Sequence, residues 1–249
     1  MSLTGILDAL LDPASPDAAI ASAVEAARSG VLHDLDVTAA AGVRPFVLAA
    51  IAATTSHGAG RPVLAVTATE REAETLVTAL RDLLPADSVV AFPAWETLPH
   101  ERLSPRSDTV GRRLDVLRRL AHPDDARGRG PVRAVVAPVR SLLQPMVSGL
   151  GDLEPVAVRA GDEIELDDLL ARLAAGAYSR VDLVEKRGDF AVRGGIVDVF
   201  PPTEEHPVRL ELWGDIVEEV RYFKVADQRS LPAPAGGKEG DRVQLWAPP

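Results

Sequence analysis

Phosphate chemistry is the first possibility raised by these residues, and lysine decides it. A loop that holds a nucleoside triphosphate needs glycines that let backbone amides approach, then Gly-Lys-Ser/Thr so that the lysine meets the phosphates. The only lysines are Lys186, Lys224 and Lys238, so residues 1–150 cannot supply one. The nearest approach, Ala41 to Phe46 (AGVRPF), lacks the second glycine, the lysine and the hydroxyl, and Pro45 removes a backbone donor. Asp162-Glu163 resembles an acidic metal-holding pair only in letters, because no buried strand precedes it. His33, His57, His100, His122 and His206 are dispersed, with no two histidines at the i, i+4 spacing of a zinc helix. Cysteine is absent, which removes thiolate metal sites, disulfides and a thiol nucleophile, and there is no Gly-x-Ser-x-Gly turn to expose a serine. No catalytic residue, metal or cofactor is expected.

Binding chemistry has a better candidate in Pro207 to Trp213, PVRLELW. The period of two places Val208, Leu210 and Leu212 on one face of a strand and Arg209, Glu211 and Trp213 on the other. If the first set is core, the second is not. Trp and Arg bury much area and Arg adds directional hydrogen bonds, the make-up of an interface hot spot. Alternation alone leaves open whether Trp213 meets a partner or covers a sheet edge.

These residues need a frame, and the chain predicts two kinds of it. From Pro62 onward, apolar runs at Val63–Val66, Ser88–Phe92 and Val132–Val136 alternate with helical patterns through Leu76, Leu80 and Leu83 and through Asp108–Leu120. That order predicts an α/β domain with a parallel sheet over residues 1–150. After Gly151 one helix (Leu166–Ala175) precedes short strands at 180–184, 189–192, 195–200, 208–213 and 216–224. Arg187-Gly188-Asp189, Gly194-Gly195 and Gly214-Asp215 sit where hairpins turn. Residues 151–231 therefore read as a smaller α+β domain with an antiparallel meander, and 232–249 as an irregular tail. The loop 122–131 reads as a solvated connection.

Composition bounds the partners. The 249 residues carry 46% hydrophobic side chains and a formal charge of −10, and the acidity is concentrated: 18 acidic against 10 basic residues over 151–230. An acidic segment can neutralise few DNA phosphates, so it favours a protein partner over nonspecific nucleic-acid binding. The longest clean apolar run, Phe46–Ala53, is far short of the ~20 residues a membrane span requires. The start has no basic region preceding an apolar one, so a cytoplasmic protein without membrane contact is expected.

Several ordered segments carry a resemblance. Trp95–Pro99 (WETLP), Leu103–Pro105, Asp108–Leu114 and Ser141–Pro145 resemble the first domain of bacterial transcription-repair coupling factors. Tyr178–Asp182, Gly188–Phe200 (GDFAVRGGIVDVF), PVRLELWGD and Asp227–Arg229 are similar to the domain these factors share with the repair helicase UvrB. The likeness runs over about residues 60–231. It implies a degenerate helicase-like first domain that has lost its phosphate loop, in agreement with the missing lysine. It also implies that the second domain binds the excision-repair protein UvrA through two arginines and an aromatic, which by motif are Arg193 (AVRGG), Arg209 (PVRLE) and Trp213. RNA polymerase and DNA would be partners of downstream domains, and the third piece of the UvrB-like module, expected after about residue 231, is not seen. The rival reading is a fragment of an active UvrB-type, ATP-dependent DNA helicase, which would need the lysine that is missing. Placed outside the core, Arg209 and Trp213 are expected to be replaceable by Ala with little loss of stability.

Overall fold

Thr69 ends an apolar run and starts a helix, and the reason it can do so is a closed pair of hydrogen bonds. In the computed structural model, which describes residues 4–12, 18–31, 33–55, 57–97, 105–124, 130–231 and 244–247, the Thr69 hydroxyl accepts from the Glu72 amide at 3.2 Å. The Glu72 carboxylate accepts from the Thr69 amide at 3.2 Å in return, so two amides that the first helical turn leaves orphaned are satisfied.

The chain packs as two units. The first takes in residues 1–95 and 119–147, the second residues 96–118 and 148–249. In the first, α1 (Thr4–Leu10), α2 (Ala18–Ser29) and α3 (Arg44–Ala52) precede β1 (Val63–Thr67), α4 (Glu70–Leu83) and β2 (Val89–Ala91). Then come α5 (Ser107–Ala121), which belongs to the second unit as far as Arg118, β3 (Ala134–Pro138) and α6 (Val139–Leu143). The three strands form a parallel sheet in the order β1-β3-β2, with Ala134 of β3 in register with both Val63 and Val89. Leu80, Leu83 and Val77 of α4 share a core with Ala49 and Ala50 of α3, Ile20 and Val24 of α2, and Val136 and Val89 of the sheet. Small alanines on α3 let that helix come close to the cluster, and β3, buried at all five positions, is its central strand.

In the second unit, β4 (Val156–Arg159) and α7 (Leu166–Ala175) lead into β5 (Ser179–Arg180), β6 (Asp189–Arg193), β7 (Ile196–Val199), β8 (Val208–Trp213) and β9 (Ile216–Tyr222). These five strands make one sheet in chain order, and its last four are antiparallel neighbours. One row runs Phe190-Val199-Val208-Tyr222 and another Val192-Val197-Leu210-Val220. Their side chains meet Leu169 and Leu173 of α7 in one apolar core.

Four details differ from the pattern read in the sequence. A strand with two buried positions, β4, does precede Asp162-Glu163, where no buried strand was expected. The segment Arg180–Val184 is not a meander strand: β5 is two residues long and pairs parallel to β6. Residues 96–118, expected within the first domain, pack with the second unit. Gln244–Ala247, expected in an irregular tail, is a strand, β10, that pairs antiparallel with β4 and buries Leu245 in the core. Alternation was too short there to register, and the gain comes from a partner strand nearly ninety positions earlier. The rest of the 232–249 tail, residues 98–104 with His100, and the centre of the 122–131 loop lie outside the described residues. Among the described residues no helix is long and apolar enough to cross a membrane.

Removal of the Thr69 hydroxyl tests the helix-start reading: Thr69→Ala should lower unfolding free energy by about 1 kcal/mol, measured by urea denaturation with an unchanged m-value.

Candidate partner-binding site

Strand β8 presents its two faces as the alternation requires. Val208 and Leu210 are fully buried and Leu212 packs against the same core, while Arg209, Glu211 and Trp213 point to the opposite side. The register then assigns their neighbours. Trp213 stands opposite Ile216 across the two-residue turn Gly214-Asp215, where Gly214 adopts φ +60°. Both are open to solvent, Trp213 at 77% and Ile216 at 54% exposure. An exposed Trp–Ile pair on a sheet face is a compact apolar patch.

The hairpin that carries this patch is held from both sides. On the β7 side the Leu212 amide donates to the Gly195 carbonyl at 2.8 Å, and a Cβ at Gly195 would lie 2.6 Å from the Leu212 carbonyl oxygen. Only glycine allows that approach. On the outer side the Ile164 amide donates to the Asp215 carbonyl at 2.7 Å and the Gly161 amide to Val217 at 2.7 Å. The pairing of β8 with β9 shifts at Glu211/Leu212, where a bulge adds local twist near the tip.

Behind the apolar pair is a charged cluster centred on Asp198 of β7, which is 1% exposed. Asp198 is in register with Arg209 on β8, and the two form a fork: Arg209 Nε donates to Oδ1 at 2.6 Å and Nη2 to Oδ2 at 2.8 Å. Arg193, at the end of β6, adds a third bond from Nη2 to Oδ2 at 3.1 Å. The Arg209 guanidinium also lies over the Phe223 ring, 4.6 Å from its centroid, and is attracted by the ring's negative face. The hydrogen bonds to Asp198 raise the Arg209 pKa above its ordinary value against the opposing effect of burial, so this arginine is a fixed cation. Beside the cluster, Arg221 is paired with Glu211 and, at 2.6 Å, with Glu219.

The polar face is therefore not uniformly open. Its Arg209 end is covered by a small apolar cluster of Val184, Ala191, Phe200 and Phe223, with Val181 and Val225 against it. This corrects the expectation that Arg209 is replaceable by Ala with little loss of stability: its side chain is only 15% exposed, against 52% for Arg193. All three residues named from the sequence do converge on one face. Two that were not named, Asp198 and Ile216, complete the arrangement. The signal for Asp198 was a carboxylate inside an otherwise apolar strand (GIVDVF), and for Ile216 it was the two-residue turn that sets it opposite Trp213. Among the described residues no group of three or more His, Asp or Glu is gathered where it could hold a metal ion.

The sequence comparisons fall on this unit and beyond it. Residues 156–235 match the family described as the UvrB interaction domain. The transcription-repair-coupling factor of Mycobacterium tuberculosis is 52% identical over 232 residues, 88% of this chain and 18% of the relative. This chain belongs to the transcription-repair-coupling factor family. The Bacillus subtilis transcription-repair-coupling factor is 34% identical over 172 residues, 69% of this chain and 14% of that protein. The UvrABC system protein B of Streptomyces avermitilis is 34% identical over 171 residues, 64% of this chain and 23% of its own length. The chain thus spans about a fifth of the length of the mycobacterial coupling factors it matches, and it includes the interaction domain whose matched residues contain the whole Arg193–Asp198–Arg209–Trp213 face.

The two classes of residue on this face should separate in a melting experiment. Trp213→Ala should shift stability by under about 0.5 kcal/mol, the usual surface effect. Arg209→Ala leaves a buried carboxylate with one monodentate partner and should cost about 3 kcal/mol. Equal melting temperatures for the two variants would remove the structural role given to Arg209.

Proposed function

We propose that this chain is a docking module that binds UvrA through Arg193, Arg209 and Trp213, and that a coupling factor containing it uses the contact to bring nucleotide excision repair to stalled transcription complexes. The observation that carries the proposal is the exposed Trp213–Ile216 pair flanked by arginines on a face that is core on its reverse. An aromatic anchor on the same sheet face as two guanidiniums, held on a hairpin secured at both edges, has the composition and rigidity of an interface hot spot. The match of residues 156–235 to the UvrB interaction domain supports a protein partner for this face.

The first unit is proposed to support the module without binding nucleotide. No lysine precedes Lys186, and among the described residues no strand precedes α3, whereas a phosphate loop lies between a strand and a helix. Pro45 occupies the first turn of α3 and contributes no amide. RNA polymerase and DNA are proposed as partners of regions of the coupling factor beyond this chain, whose own acidity suits it poorly to phosphate backbones.

Calorimetric titration with UvrA tests the proposal. Trp213→Ala should weaken binding by about 2 kcal/mol, close to thirtyfold, at an unchanged melting temperature. Leu210→Ala should cost roughly 2–5 kcal/mol of stability and weaken binding only to the extent that the unit unfolds. Unaltered affinity of the Trp213 variant would place the partner elsewhere, and micromolar affinity for a fluorescent ATP analogue would restore the helicase reading.

A further inference from the structure

Arg209 has little left to offer a partner. Its Nε and Nη2 are engaged by Asp198, Nη1 lies 3.5 Å from the Gln228 carbonyl, and its flat face rests on Phe223. Arg193 differs: one Nη2 contact reaches Asp198, and half of its side chain remains open to solvent. One carboxylate therefore anchors both cations, one completely and the other by a single nitrogen. The arrangement leaves most of the Arg193 fork directed outward while its position is fixed from behind.

Charge points to the chemistry of the incoming group. Two guanidiniums and one carboxylate leave the cluster with a surplus of one positive charge. On the same face Glu211 and Glu219 share the single cation Arg221, so the face as a whole is neutral and the positive surplus is local to the Arg193 edge. A guanidinium edge that is half-buried and pre-oriented is suited to a planar carboxylate, which it can meet with two parallel hydrogen bonds.

Resting on the docking function proposed above, we infer that Asp198 is a positioning residue for that contact: it holds Arg193 ready to receive a carboxylate of the partner, while Arg209 secures Asp198. Asp198 itself, almost wholly buried, touches no partner. The division is specific. Of the three residues given to the docking function above, Arg193 and Trp213 meet the partner directly, and Arg209 contributes from behind by securing Asp198.

A double-mutant cycle with UvrA separates this role from a merely structural one. Arg193→Ala and Asp198→Asn should each weaken binding by about tenfold, and the double variant should be within about threefold of Arg193→Ala alone, because contacting residues couple in this way. Melting temperatures should separate from this: Asp198→Asn loses the two-bond fork to Arg209 in either background, so most of its stability cost should persist in the Arg193→Ala chain while its binding cost does not. Where Asp198→Asn alone does not fold, Asp198→Asn with Arg209→Gln removes the stranded buried cation and takes its place in the cycle. Arg193→Glu should bind more weakly than Arg193→Ala, since it sets two carboxylates against each other. Full multiplication of the two single effects, or an unaffected Asp198→Asn, overturns the inference while a weakened Trp213→Ala leaves the docking face standing. Equal affinities of Arg193→Glu and Arg193→Ala overturn the carboxylate assignment. If Trp213→Ala binds like the unaltered chain, the docking reading fails first and this inference fails with it.

Discussion

A carboxylate almost wholly withdrawn from water must find its compensation inside the protein, and Asp198 finds it in two arginines from two neighbouring strands. That requirement organises the rest of the second unit. The fork to Arg209 demands that β7 and β8 pair in one register, which also places Val197 and Val199 beside Leu210 and Val208 in the core. The same register sets Trp213 at the strand end, where it is largely open to solvent. Charge compensation on one face and apolar packing on the other thus specify a single alignment of the strands.

The sheet divides its duties along its length as well as across it. At one end the polar face is roofed by Phe200, Phe223, Val184 and Ala191, and the Asp198–Arg209 pair is shielded from water by that roof. At the other end Trp213 and Ile216 meet solvent. Shielding strengthens the ion pair in a medium of lower dielectric, and openness leaves the apolar pair available. Anchoring of the β8–β9 tip by Gly195 on one side and Ile164 on the other fixes its backbone, so a partner meeting this face would have little backbone left to order.

Much of this frame was legible in the sequence because its signals are local. The helix Leu166–Ala175 and the strand Val208–Trp213 have the bounds their periodicity predicts, and Gly194-Gly195 and Gly214-Asp215 turn where two-residue hairpins require. What escaped was set by distant partners. Gln244–Ala247 becomes a strand only because β4 offers it an edge, and Arg180–Val184 yields a two-residue strand because the chain leaves the sheet after pairing with β6. Residues 96–118 carry an amphipathic pattern that says a helix forms, but not which core it joins. At the site, alternation identified the face of Arg209 and Trp213. It could not reveal that Phe200 and Phe223, from two other strand ends, would cover half of that face.

The Gly195 contact has a consequence for how this surface is read by anything that binds it. Arg193, Asp198 and Trp213 come from three strands, and they share one face only while Gly195 lies against Leu212 and the pairing holds. A slip of one residue would turn the side chains of the displaced strand to the opposite face. The surface is thus a conformational epitope: no linear stretch of the chain contains it, and an unfolded or misregistered copy displays nothing to bind. Recognition of this face doubles as inspection of the fold, so that a damaged molecule is silent rather than misleading.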